Sequence, residues 1–354
     1  MPVASQFGET FDPVGAHLDD PYTFYARARK EQPVFWSPRM RAWVVTRYAD
    51  VQGALRDNVR FSNANAIRTI DDPPYPVVQE FMKLGYPMPP INITADGEQH
   101  RVLRVPFART FAAEQVTAAE PVMRAKVQEC VDAIVDDGQA ELMEALCRPL
   151  PLTVVTHMWG IEELDEELVR AGTHGLLSLE GNLAATDEPV EQQVEAMRAY
   201  VRMCHIVKEA IQERRAQPRE YDLTSLMIDM NLPEDLPPDA PLTIEQEALL
   251  VLNLAGDMLP GHETTAPQLA SGLRHLLANR DQWELLCRRP ELIGQAVEEF
   301  CRYDTSVPGM FRVAKEPMTI AGQEIAAGDE VFLALLSANR DEEFCERPDE
   351  FDIT

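Results

Sequence analysis

The sequence predicts a mainly α protein with a small β part. Three observations lead there: long stretches whose apolar residues recur at helical spacing, two short regions of alternating apolar and polar residues, and enough hydrophobic content (45% of 354 residues) for a large core. Charged residues make up 26% and no segment is of low complexity, which is the composition of a folded domain. No internal repeat or compositional break marks a boundary, so residues 1–354 read as one domain.

The elements follow in order. Met1-Pro2-Val3-Ala4-Ser5-Gln6 lacks a basic region followed by an apolar stretch, so no signal peptide is expected. Pro33-Val34-Phe35-Trp36, a polar turn at Ser37–Arg39, and Trp43-Val44-Val45 spell a hairpin. Ser62–Thr94 is proline-rich and irregular, a long loop of the kind that usually carries function. Helical spacing runs from Ala113 to about Thr156, then through Leu164–Leu176 and Glu188–Arg215, and Leu232–Pro241 is a proline-rich break. Thr243 at the N-cap with Gln246 at N3 forms a capping box, opening one long helix to Ala278 that is distorted near Pro260–Thr265. A second β region runs from Met310 to Leu336, punctuated by Gly322 and Gly328.

Charge and cysteines exclude several functions. With 32 basic against 59 acidic residues the formal charge is −27, which disfavours nucleic acid and anionic membranes as partners. The most apolar stretch, Ala248–Leu254, is too short to span a bilayer. Cys130, Cys147, Cys204, Cys287, Cys301 and Cys345 contain no Cys-x-x-Cys pair, so reduced thiols in a cytoplasmic protein are expected rather than a zinc site.

Four strings carry chemistry. In Ala95–Arg104, Asp96 suits an N-cap, placing His100 and Arg104 at i and i+4, where two cationic donors can grip a carboxylate pair. An ordinary surface helix would tolerate the same residues. In Pro260-Gly261-His262-Glu263-Thr264-Thr265, a Thr hydroxyl bonding to a carbonyl one turn earlier would bend the helix. Glu263 and Thr264 would then form an acid–alcohol pair able to pass protons; an exposed acid on a kinked helix is the plainer alternative. Ala266 stands where a metalloprotease needs its second histidine, so that reading fails. Glu299 and Arg302 at i, i+3 can pair, as many surface residues do. Arg312, at the head of the second β region, is either a surface residue or a third anion donor.

Together, and in this order, the four strings resemble the cytochrome P-450 family of soluble bacterial type, from the first hairpin to the last residue. The resemblance implies the cytochrome P-450 fold and a b-type haem (heme b). His100, Arg104 and Arg312 would hold the haem propionates, half-buried and short of carboxylate partners. Gly261 would lie in the motif over the distal haem face, with Glu263 and Thr264 as oxygen-activating acid and alcohol. Glu299 and Arg302 would form a structural lock, although Glu350 stands where many members carry its third residue, an arginine; Arg340 and Arg347 are the nearest substitutes. The implied pocket is lined by Ser62–Thr94, Leu176–Thr186, Leu252, Asn253, Asp257 and Val307–Met310. The implied reaction is a monooxygenase's, inserting one atom of O2 into a small organic substrate with electrons from a ferredoxin-type partner.

The pattern departs from the family in two places. Pro260 replaces a small residue and should accentuate the kink. The Phe-x-x-Gly loop bearing the thiolate ligand, and the helix after it, would lie beyond Thr354, and Cys345 lacks the matching flanks, so no residue present is expected to ligate the iron. An incomplete monooxygenase is therefore expected, with a haem-free auxiliary protein that binds and activates a partner enzyme as the alternative.

Overall fold

A computed structural model describes residues 6–13, 15–67, 72–179 and 188–354. Its contacts group into two compact units, a terminal unit of Met1–Arg68 with Pro267–Thr354 and a central unit of Thr69–Ala266.

The terminal unit holds the strands β1 (Val34–Ser37), β2 (Ala42–Val45), β3 (Phe61–Ser62), β4 (Met310–Ala314), β5 (Met318–Ile320), β6 (Gln323–Ile325) and β7 (Glu330–Leu333). Five form one sheet in the order β1-β2-β7-β4-β3, with β2 and β7 parallel and the other pairs antiparallel. The predicted hairpin is β1–β2, with Trp36 opposite Trp43. Period-two alternation sends Val34, Trp43, Val45, Val331 and Leu333 into one core and Phe35, Ala42, Val44 and Phe332 into another, so the sheet is buried on both faces. β5 and β6 form a separate hairpin whose two-residue turn, Ala321-Gly322, has φ of 46° and 80°, the left-handed pair that matches strand twist.

Two β expectations need correction. Leu335–Ala338 is helical, so the second β region ends at Leu333. At the start of the segment read as irregular, Ser62 pairs with Val313 as the end of the Phe61–Ser62 strand, and farther on Tyr75–Met82 is a helix. A two-residue strand has no alternation to read, and proline in a first helical turn starts a helix rather than breaking it.

Glu299 and Arg302 sit on the Ile293–Tyr303 helix of this unit. Arg302 Nε donates to Glu299 Oε2 at 2.6 Å and Nη2 to Oε1 at 2.8 Å, a bidentate pair with both side chains largely buried. Neither candidate arginine completes it. Arg340 is buried elsewhere, donating to the Tyr303 carbonyl between the rings of Tyr22 and Tyr303. Arg347 is exposed against Glu350 and Asp352. Backbone fills the third corner: Arg302 donates to the carbonyls of Asn339, Pro348 and Glu350, and the Asp352 amide donates to Glu299.

The central unit is helical. Its core is contiguous, with Met197, Tyr200, Met203, Cys204, Val207 and Ile211 of the Val190–Ala216 helix recurring at the three- and four-residue spacing of one buried face. The run expected as helical from Ala113 is divided into Ala113–Asp132, a π turn at Met143–Cys147 and Pro149–Trp159. Gly138, at φ 67°, lies between the first two.

The long helix expected over Thr243–Ala278 is three pieces. Thr243 and Gln246 form the reciprocal capping box and open Ile244–Gly256. Met258–His262 and Thr265–Ala278 follow, with interruptions at Asp257 and at Glu263–Thr264. Each interruption begins four residues before a proline or just after that position. Pro260 has no N–H for the Gly256 carbonyl and Pro267 has none for the Glu263 carbonyl. Gly261, in the short middle piece, abuts the Pro149–Trp159 helix: a Cβ there would stand 2.7 Å from Val155 Cγ2.

These contacts set two measurable stabilities. Arg302→Ala strands a buried carboxylate and should cost about 3–5 kcal/mol by urea unfolding, whereas a loss near zero would mean that the pair contributes nothing to stability. Gly261→Ala should cost about 1–3 kcal/mol, most of it recovered when Val155→Ala is added; no recovery would place the strain elsewhere.

Candidate functional site

In the central unit, Asp96 occupies the N-cap position of the Gly97–Thr110 helix, although its side chain gives no capping bond. His100 and Arg104 therefore lie one turn apart on one face. His100 is half-buried as expected, but Arg104 is exposed, because it falls on the solvated side of a helix that buries Leu103 and Phe107. Among the described residues neither side chain makes a hydrogen bond or ion pair. A guanidinium and an imidazole with unused hydrogen-bonding capacity have the chemistry to bind carboxylates.

Arg104 also lies near enough for its charge to act on Asp257, at the first helix interruption. Oδ2 of Asp257 is enclosed and has no hydrogen-bond partner. Burial pushes this carboxyl up to about 7, against the pull of Arg104. One turn earlier, Asn253 is fully committed: its amide donates to the carbonyls of Pro90 and Leu249, and its Oδ1 accepts from the Asn92 amide. Asn253 thus anchors the proline-rich loop rather than facing a ligand, and the Oδ1 of Asn92 is left enclosed without a partner.

At the second interruption, Glu263 is about one-third exposed and accepts from Thr173 Oγ1 at 3.1 Å. His262 Nδ1 stands 3.4 Å from Glu263 Oε1, on a side chain only 1% exposed whose two ring nitrogens have no hydrogen-bond partner. Burial works to raise the Glu263 carboxyl, but His262, Thr173 and the charge of Arg148 together hold it below the usual range. Thr264 donates from Oγ1 to the Pro260 carbonyl at 2.7 Å, the back-bond expected from the sequence.

Glu263, Thr264 and Gly261 thus occupy one short stretch, and Arg104 lies near its start. Gly261 has a packing reason in Val155, separate from any cofactor. Glu299, Arg302 and Arg312 belong to the terminal unit, where Arg312 is half-buried on β4 and donates to the Phe311 carbonyl at 2.7 Å. Residues 68–71 and 180–186 of the expected pocket lining fall outside the described residues. Sequence reasoning missed Thr173 and Arg148, which reach Glu263 across a long stretch of chain that no local pattern could reveal. It weighed His262 only as half of a metalloprotease motif. Among the described residues no helix is long and apolar enough to cross a membrane.

Comparison with known proteins bears on the family and the fold. The family model for Cytochrome P450 matches residues 167–354. The chain is 32% identical to the cytochrome P450 monooxygenase PikC of Streptomyces venezuelae, over 94% of this chain and 75% of that protein. It is 30% identical to a steroid C26-monooxygenase of Mycobacterium tuberculosis, over 93% and 75% respectively. An intact type IV self-sufficient cytochrome P450 monooxygenase superposes with a TM-score of 0.86 at 30% identity, covering 99% of this chain and 44% of that longer one. A cytochrome P450 haem domain from Acinetobacter radioresistens gives 0.85 at 28% identity, over 98% and 82%. Nothing in these relatives supports the haem-free auxiliary alternative. The mainly helical fold with its small sheet, the motif order and these relatives agree that the chain belongs to the cytochrome P450 family of haem-dependent monooxygenases.

Proposed function

We propose that the protein inserts one atom of O2 into a small organic substrate, with protons delivered through Glu263 and Thr264. The observation that carries this reading is the helix interruption at Glu263–Thr264, where an acid and an alcohol stand side by side and each is held by a named partner. Haem, when bound, supplies the oxygen-activating chemistry. His100 and Arg104 are the residues of the central unit suited to hold its propionates.

The remaining work falls to side chains of this chain. Glu263, held ionised by Thr173, His262 and Arg148, takes a proton on its carboxylate and hands it inward. Thr264 donates its hydroxyl hydrogen to the Pro260 carbonyl, which fixes Oγ1 beside the Glu263 carboxylate that it works with. Electrons come from a ferredoxin-type partner, and the enzyme works in the cytoplasm.

In a protein that carries the family's Phe-x-x-Gly cysteine loop and its following helix after Thr354, Thr264→Ala tests the relay. Haem affinity should stay within about twofold of the parent, while product per O2 consumed falls by about 10²-fold and hydrogen peroxide takes its place. Unchanged product yield would remove Thr264 from proton delivery.

A further inference from the structure

Among the described residues of the central unit, two enclosed side-chain oxygens remain without a donor, and the mechanism uses neither. One is Oδ2 of Asp257, the other Oδ1 of Asn92. They belong to one neighbourhood: the Asn92 amide is bonded to Asn253, and the Asp257 amide donates to the Asn253 carbonyl one helical turn on. Asn253 is bonded to the backbone of both residues, and its own N–H groups are taken by Pro90 and Leu249. Arg104 acts on Asp257 through its charge yet donates no hydrogen bond to it. Elsewhere in the unit an enclosed acid of this kind is served: Asp222 receives Arg214 Nε at 2.7 Å and the Ser225 amide at 2.7 Å.

Leaving buried acceptors bare is costly, and the group that serves them best carries several N–H donors and a positive charge. We propose that Asp257 and Asn92 form a recognition subsite for substrates bearing a guanidinium or ammonium group. This rests on the proposed monooxygenase function and on the place of Asp257 in the implied substrate pocket, and it adds the substrate class. Burial, which pushes Asp257 up to about 7, makes the carboxyl uncharged without difficulty when the subsite is empty; an arriving cation restores the carboxylate.

The test uses the full chain loaded with haem and two probes of matched shape, n-hexylguanidinium and n-hexylurea, about one pH unit above the value of Asp257. A guanidinium does not deprotonate in this range and so competes poorly for iron. Calorimetric titration should show the guanidinium binding at least about tenfold more tightly than the urea. Asp257→Asn, which keeps the shape, should abolish that preference while leaving the urea within about threefold of the parent. Asn92→Leu should reduce the preference in a second, independently folded variant. Equal affinity for the two probes in the parent overturns the proposal, as does a preference that survives Asp257→Asn. The haem absorbance read in the same titration separates the two claims: a preference that depends on Asp257 without any change in the haem bands upholds the subsite and sinks its placement on the substrate side.

Discussion

Two prolines govern the segment on which everything else depends. A helix interior requires each N–H to serve the carbonyl four residues earlier, and neither Pro260 nor Pro267 has one to offer. Gly256 and Glu263 therefore lose their partners, and the helix is interrupted at Asp257 and again at Glu263–Thr264. Thr264 reinforces the second break by directing its hydroxyl to the Pro260 carbonyl, the oxygen that its own amide would serve in a regular helix. The residues with chemistry lie at these breaks. Asp257 marks the first and the Glu263–Thr264 pair the second, while Gly261 lets the piece between them sit against Val155.

Closed and open buried polar groups stand in contrast within this fold. In the terminal unit Glu299 and Arg302 satisfy each other and then draw on three carbonyls and one amide, so the ensemble is closed. Arg340 is equally well served, by the Tyr303 carbonyl and two aromatic faces. Such ensembles fix a fold and leave nothing over for a ligand. In the central unit His262, Asp257 and Asn92 keep enclosed polar atoms without partners, and Glu263 is held in a charged state by groups from other helices. That imbalance is the physical mark of a site, because unfilled capacity in a folded protein is either a cost or a place for something else to bind.

Much of this was legible in the sequence where the signal is local. The β1–β2 hairpin follows from Trp36 and Trp43 on alternating strands, and the capping box at Thr243 is written in two residues. The back-bond of Thr264 and the pairing of Glu299 with Arg302 also follow from spacing alone. What stayed hidden depends on contacts across the chain. β3 exists only through its pairing with β4, and Thr173 and Arg148 reach Glu263 from helices far away in sequence. Pro267 was hidden for another reason. Pro260 drew attention as a residue in the motif, while the proline seven residues later acts on the same segment by the same rule. The third corner of the lock was sought among arginine side chains and is supplied by backbone, which no residue pattern can announce.

The prolines, and not the glutamate or threonine themselves, open the segment at Glu263–Thr264. Amide hydrogen exchange in Pro267→Ala measures this directly, since the substitution returns the missing N–H to the position that serves the Glu263 carbonyl. The new amide at position 267 should be protected to the same degree as the interior of the Thr265–Ala278 helix, with the pieces on either side joined into one. Rapid exchange of that amide, in a variant as stable as the parent, would show that the interruption persists without the proline and would contradict its assigned role.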